Sequence, residues 1–321
     1  MIWLKTQEEQ ERCAKSCFEG MVLSHPDRWE LLPTDTSGGI LVRKKLPEAR
    51  FGVIVSGGAG NGPLFAGYVG DCLADAAVAG GAYAAPNAYA LYEAGKRLGR
   101  DRDILLLYNR FAGDYLNNDM AQELLEMDGI RTASVMATDD IATAVGCGRD
   151  QRNGRCGVAL LIRLAAFCRN EGMGLEQTAA LLRRANEGLT TISVHVDLEK
   201  GRAVFGGGFS GEPGILARED LDKPALVRTA VDMLLADLPP KPEEKLILLV
   251  NRLRLTSFPD GYITAKLAYE YLALKHPVYK LCVGGFSNIA DVFGWDFSLL
   301  RVDAVGAAAF AEAARGDGFQ L

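Results

Sequence analysis

The stretch Phe51-Gly52-Val53-Ile54-Val55-Ser56-Gly57-Gly58-Ala59-Gly60-Asn61-Gly62-Pro63 organises the reading of this chain. Its first residues are apolar and β-branched, the pattern of a strand buried on both faces. A glycine-dense turn follows at once. Glycine tolerates positive φ and lets backbone come close to a bound group. Pro63 suits the first turn of a helix, and residues 64–78 read as that helix. A strand, a glycine turn and a helix N-terminus in succession would offer free N–H groups to an anion or to hydroxyl oxygens. The spacing is not that of a dinucleotide site, because Gly62 comes one position too early for G-x-G-x-x-G. The next strand candidate, residues 82–85, ends in Pro86-Asn87 instead of an acid. No G-x-x-x-x-G-K-[ST] occurs, which excludes a P-loop.

Working outward, residues 7–22 read as a helix and 40–42 as a short strand. Strands are expected at 104–107 and 130–136. Helices are expected at 118–127, closed by Asp128-Gly129, at 158–170 and at 175–186. Strands alternating with helices give an α/β fold whose first domain has a mostly parallel sheet flanked by helices. After Gly188 the pattern changes. Residues 190–198, 202–205, 246–250, 278–283 and 298–302 read as strands, a second, mixed α/β domain. The expected domains are 1–188, with the glycine turn, and 189–321, with a second glycine-dense turn.

The composition fits two cored domains: 321 residues, 49% hydrophobic, 24% charged. The net charge of −6 and the absence of a basic cluster exclude a nucleic-acid binder. No apolar run reaches the roughly 18 residues of a membrane helix. The first 13 residues are charged and lack the apolar core of a signal peptide. Seven cysteines at irregular spacing, no C-x-x-C and three histidines argue against zinc and for free thiols in a reducing cytoplasm. No metal and no cofactor are expected.

Three further segments carry chemistry. Asn109-Arg110-Phe111-Ala112-Gly113-Asp114 follows the strand at 104–107. Ligands of open parallel sheets lie outside the carboxyl ends of strands, where an aspartate can take a proton from a hydroxyl or serve as a turn residue. Gly206-Gly207-Gly208-Phe209-Ser210-Gly211-Glu212-Pro213-Gly214 is the second glycine turn. Residues 288–300 precede the last strand, and their apolar side chains read as core. His25 and His276 each precede a proline, and His195 lies inside a strand; all three read as structural or solvated.

Taken in order, these motifs resemble the dihydroxyacetone-binding subunit of dihydroxyacetone kinase, the DhaK family. The family pattern S-G-G-G-S-G-H-E-P…G-Y-V-G is similar to residues 56–63 followed by Gly67-Tyr68-Val69-Gly70. K-N-Y-T-G-D-x-L-N-F is similar to residues 109–118, G-I-H-G-E-P-G to residues 208–214, and the family's closing segment to residues 288–303. The resemblance spans nearly the whole chain. It implies a kinase-lineage transferase of glycerol metabolism, a homodimer, that holds a small ketose or polyol. A separate nucleotide- or phosphotransfer-linked subunit supplies the phosphoryl group.

It also implies covalent capture of the ketone by a loop histidine, since only a carbonyl accepts that nucleophile. Here Ser210 occupies the position of that histidine, and Asn61 that of the first-loop histidine. Asn109 and Arg110 replace the family's lysine and asparagine. Asp114 matches the acid–base aspartate. The resemblance therefore implies non-covalent binding through Gly58, Asn61, Asn109, Asp114 and Ser210, with Asp114 the catalytic candidate. The alternative is a non-catalytic, ligand-sensing paralogue that regulates a partner such as a transcriptional activator.

Overall fold

The computed structural model describes residues 4–209, 211–289, 291–311, 315–316 and 319–320. The chain forms two compact units. The first gathers the residues up to Met136 together with Ile162–Arg183; the second gathers Ala137–Leu161 and most of the chain from Arg184 on. Residues 137–161, expected with the first domain, thus cluster with the second. The cause is local: Asp140 bridges Thr191, and the Ile141 N–H donates to the Thr191 carbonyl at 3.1 Å.

In the first unit, helix α1 (Gln7–Ser24) opens on a capping box in which Thr6 and Glu9 cap one another. Strands β1 (Trp29–Leu32), β2 (Gly39–Arg43), β3 (Phe51–Gly57) and β4 (Ala76–Ala79) follow. Then come α2 (Ala88–Leu98), β5 (Asp103–Asn109), α3 (Ala112–Met127) and β6 (Thr132–Ala137). The six strands form one sheet in the order β1-β2-β4-β3-β5-β6. β3 runs parallel to both β4 and β5, and β1 and β2 add antiparallel strands at one edge. Every residue of β3 is buried, as a strand with helices on both faces requires. Ile54, Val78, Ile104 and Leu106 pack with Leu91, Ala94 and Leu98 of α2. α2 comes close to α3 at Gly95, where a Cβ would lie 2.5 Å from the Leu125 side chain.

The helix expected at 64–78 does not form. A 3₁₀ turn at Ala66–Tyr68 is followed by β4, which pairs with β3 and β2 at once through Ala76↔Ile54 and Ala76↔Val42. Two ladders and full burial outweigh the helix propensity of an alanine-rich run. The strand expected at 82–85 is a turn, in which the Ala84 N–H reaches the Gly81 carbonyl.

Helices α4 (Val158–Asn170) and α5 (Leu175–Glu187) lead into the second unit's strands β7 (Leu189–Asp197), β8 (Arg202–Gly207) and β9 (Pro213–Arg218). Helix α6 (Lys223–Asp237), β10 (Lys245–Arg252), α7 (Phe258–Ala273), β11 (Val278–Gly284), β12 (Phe293–Val302) and the short α8 (Ala304–Ala308) complete it. The second sheet runs β11-β10-β12-β7-β8-β9, antiparallel except for β10 with β11. Val194, Phe205, Leu248, Trp295, Phe297 and Leu299 pack against apolar residues of α6 and α7. Both helices start on a side-chain cap with proline in the first turn, Asp222 for α6 and Ser257 for α7. Among the described residues no helix is long and apolar enough to cross a membrane.

Candidate functional site

The parallel pairing of β3 with β5 sets Ser56 beside Tyr108. The glycine turn and Asn109 therefore leave the sheet at one edge. Ala59–Asn61 is a single 3₁₀ turn and not the start of a longer helix. Its first N–H groups are already used: Ala59 donates to the Gly81 carbonyl at 3.0 Å, and Gly60 to the Ala82 carbonyl at 2.8 Å. The expected anion-binding helix N-terminus is thus absent. The turn instead packs against the 80–86 segment. A Cβ on Gly57 would lie 2.2 Å from the Phe65 ring, whereas one on Gly58 meets nothing nearer than 3.5 Å. Gly57 is therefore needed for packing, and the face beside Gly58 has room. Asn61 stands half-buried at the end of the turn.

Helix α3 begins at Ala112, six residues earlier than expected, which puts Asp114 in its first turn. A Cβ on Gly113 would lie 2.9 Å from Ala85, so the 80–86 segment also packs against the start of α3. One turn on, the fully buried Asn118 donates to the Asp114 carbonyl at 2.9 Å and to the Ser56 hydroxyl at 3.2 Å. This joins α3 to the end of β3. Asp114 is 7% exposed, and its carboxyl is pushed up to about 7 by burial. A helix N-terminus favours the carboxylate, but desolvation outweighs it here. Tyr108 is buried beneath, its phenol pushed up to about 12, again chiefly by burial. Among the described residues, the Asn109 Oδ1 and the Asp114 Oδ1 are both buried and have no hydrogen-bond donor. A buried orphan acceptor costs roughly 1–3 kcal/mol, so two at one sheet edge mark a place suited to a hydroxyl-bearing molecule. Gly58, Asn61, Asn109 and Asp114 all belong to this edge.

In the second unit the glycine-dense turn is the hairpin between β8 and β9, with Gly207 opposite Pro213 and the Gly208 N–H donating to the Glu212 carbonyl. Gly206 and Gly214 both take φ of +82°, and side chains at either position would meet neighbours at 2.2–2.5 Å. Ser210 lies outside the described residues.

Next to this hairpin is a polar group that the sequence reading did not assemble. Arg155 is 1% exposed; its Nε donates to Asp296 at 2.9 Å and its Nη1 to Asp140 at 3.1 Å. Its Nη2 lies 3.2 Å from His195 Nε2, and Phe209 covers the guanidinium at 5.0 Å. Asn251 donates to the second Asp296 oxygen at 2.7 Å. Asp139, pushed up to about 6 by burial, accepts from the Arg155 and Gly157 N–H groups. Removing one partner of such a buried pair typically costs about 3–5 kcal/mol. The only local hint was the pair Asp139-Asp140 after a strand. Arg155, His195 and Asp296 are far apart in sequence, and only the pairing of β7 with β12 brings them together.

The Dak1 domain family model matches residues 19–316. The chain is 32% identical over 283 residues to the dihydroxyacetone-binding subunit DhaK of PTS-dependent dihydroxyacetone kinase 2 from Listeria innocua, covering 82% of this chain and 84% of that one. A solved structure described as concerning regulation of the dha operon of Lactococcus lactis superposes with a TM-score of 0.89 at 23% identity, covering 99% of this chain and 97% of that one. A dihydroxyacetone kinase operon co-activator, Dha-DhaQ, superposes with a TM-score of 0.85 at 22% identity, covering 95% and 97%. At those identities the two structures speak for the fold of two α/β domains. From the family match and the Listeria relative, the chain belongs to the Dak1 domain family.

Proposed function

We propose that this protein is the substrate-holding subunit of a ketose kinase, one that binds a small ketose or polyol without a covalent bond. The observation that carries this reading is the pair of orphan acceptors, Asn109 Oδ1 and Asp114 Oδ1, at the carboxyl edge of β5. Ligand hydroxyls would satisfy both. The Asp114 carboxyl, at about 7, is suited to take the proton of an attacking hydroxyl near neutral pH. Gly58 leaves room for the ligand, and Asn61 adds a polar group from the same glycine turn. The phosphoryl group comes from a separate nucleotide- or phosphotransfer-linked partner. The protein works in the cytoplasm as a homodimer, and light scattering should give twice the monomer mass.

A second reading is favoured by Asn61 and Ser210, which stand where the family pattern has histidines. In it the protein senses the ligand and regulates a partner such as a transcriptional activator. One assay separates the two. Wild type and Asp114→Asn are mixed with dihydroxyacetone and a nucleotide-loaded or phosphotransfer-linked partner subunit. Transfer by wild type that falls about 10²-fold or more in the variant supports the kinase reading. Ligand binding without transfer from either donor supports the sensor.

A further inference from the structure

Between helix α1 and the first glycine turn lies a cavity of about 440 Å³, wholly within the first unit. The buried side chains of Phe18, Trp29, Leu64 and Phe65 line it, together with the half-buried Met21. Ligand pockets typically enclose about 300–1,000 Å³, and roughly 150 Å³ of apolar space already admits benzene. None of Gly58, Asn61, Asn109 and Asp114 lines this cavity, so it is distinct from the sheet edge described above.

The wall sets the chemistry of a guest. Among the described residues, no Lys, Arg, Asp or Glu lines it. An ion would lose its hydration there with no ammonium, guanidinium or carboxylate to replace it. An uncharged apolar body gains from burial against the aromatic and aliphatic side chains. The indole of Trp29 is fixed in the wall, since its Nε1 donates to the Val69 carbonyl at 3.0 Å. Polar groups come from the end of α1, where the Ser24 hydroxyl lies 2.9 Å from His25 Nδ1.

The cavity also shares residues with the turn that bears Asn61. Ala59 and Gly62, which flank Gly60-Asn61, belong to its wall. Phe65 packs on Gly57, where a Cβ would lie 2.2 Å from the ring, and Gly57 precedes Gly58. A guest resting on Ala59, Gly62 and Phe65 would therefore restrict the turn.

We propose that this cavity is an effector site for an uncharged molecule with an apolar body larger than benzene. Its binding braces the turn carrying Asn61 and so strengthens ketose or polyol binding. The coupling, though not the site, rests on the reading of the protein as a ketose or polyol binder.

The test uses full-length protein and N-phenyl-1-naphthylamine, an uncharged dye that brightens in apolar surroundings. The expected result is saturable binding of one dye per chain. The anionic analogue 1-anilinonaphthalene-8-sulfonate should bind far more weakly. Cys17 lines the cavity and is exposed, so Cys17→Phe fills the space without disturbing the core. That variant should melt like wild type and bind the dye roughly tenfold or more weakly, with Cys17→Leu in between. In calorimetry, saturating dye should raise the affinity for dihydroxyacetone about fivefold or more, the usual range for coupled sites.

The site is overturned by the absence of saturable dye binding, by equal binding of the sulfonate, or by full dye affinity in either folded Cys17 variant. Displacement of the dye by dihydroxyacetone also overturns it, because the dye would then occupy the sheet edge. Dye binding that leaves dihydroxyacetone affinity unmoved overturns the effector role, while the ketose reading stands. Dye binding with no heat from dihydroxyacetone, erythrulose or glycerol overturns the ketose reading and the coupling with it, and supports the apolar site alone.

Discussion

The Asn118 side-chain amide donates to the Ser56 hydroxyl across 3.2 Å, tying the second turn of α3 to the end of the central strand. The same nitrogen also donates to the Asp114 carbonyl. The position of the candidate acid–base residue is therefore set by a neighbour four residues along its own helix.

Asn118→Ala removes both bonds and leaves the buried Ser56 hydroxyl short of a partner. The expected cost is about 1–3 kcal/mol in urea unfolding, with weaker ketose binding. A variant as stable as wild type would show that the link is dispensable.

Asp114 makes a pH-dependent contribution whose sign is fixed. Its folded pKa, about 7, lies above the unfolded value near 3.9. Folding therefore favours the protonated form. The stability associated with it is fully present below about pH 4 and is lost as pH rises to 7. Asp114→Asn removes that loss. Relative to wild type the variant should gain stability from pH 4.5 to pH 8, by on the order of 4 kcal/mol at most for three pH units. Parallel stability–pH curves for the two proteins would contradict the burial of an ionisable Asp114.

Adjacent glycines should respond in opposite ways. Gly57→Ala drives a methyl into the buried Phe65 ring and should destabilise the fold by about 1–3 kcal/mol. Gly58 has ordinary extended angles, φ −70° and ψ 139°, and a Cβ there would make ordinary contacts of 3.5 Å with the Ala82 and Ala84 backbone. Gly58→Ala should keep its melting temperature, because the methyl meets that backbone only at ordinary contact distance. Equal stability losses at both positions would refute this division of roles.

Incubation with dihydroxyacetone should leave the intact mass of the protein unchanged. The resemblance to the family pattern puts Asn61 and Ser210 where that pattern has histidines, which leaves no loop imidazole to add to the ketone. An added mass of one triose, or of a triose less water, would refute non-covalent binding.

Elements with strong local signals were legible in the sequence. Helix α4 (Val158–Asn170) matches its expected ends, and β3 with its glycine turn was clear from apolar, β-branched residues running into glycine. Helix α2, strand β1, strand β9 and the helices α6 and α7 were not anticipated, although Asp222 with Pro224 and Ser257 with Pro259 form recognisable starts. β4 was mistaken for helix because Ala-Ala-Val-Ala carries no strand signature until two partners are present. Asp114 was singled out because it follows a strand and lies in a family-like motif, whereas nothing local told that its carboxyl is buried, with one oxygen lacking a donor among the described residues.

The two-part α/β character and the family were readable from the sequence alone, because periodicity, glycine turns and ordered motifs are properties of neighbouring residues. The tertiary structure decided that the first glycine turn spends its N–H groups on the 80–86 segment, that burial raises Asp114, and that Arg155 gathers Asp140, His195 and Asp296 around it. Each of these depends on desolvation or on hydrogen bonds between residues far apart in the chain, and neither is encoded at any single position.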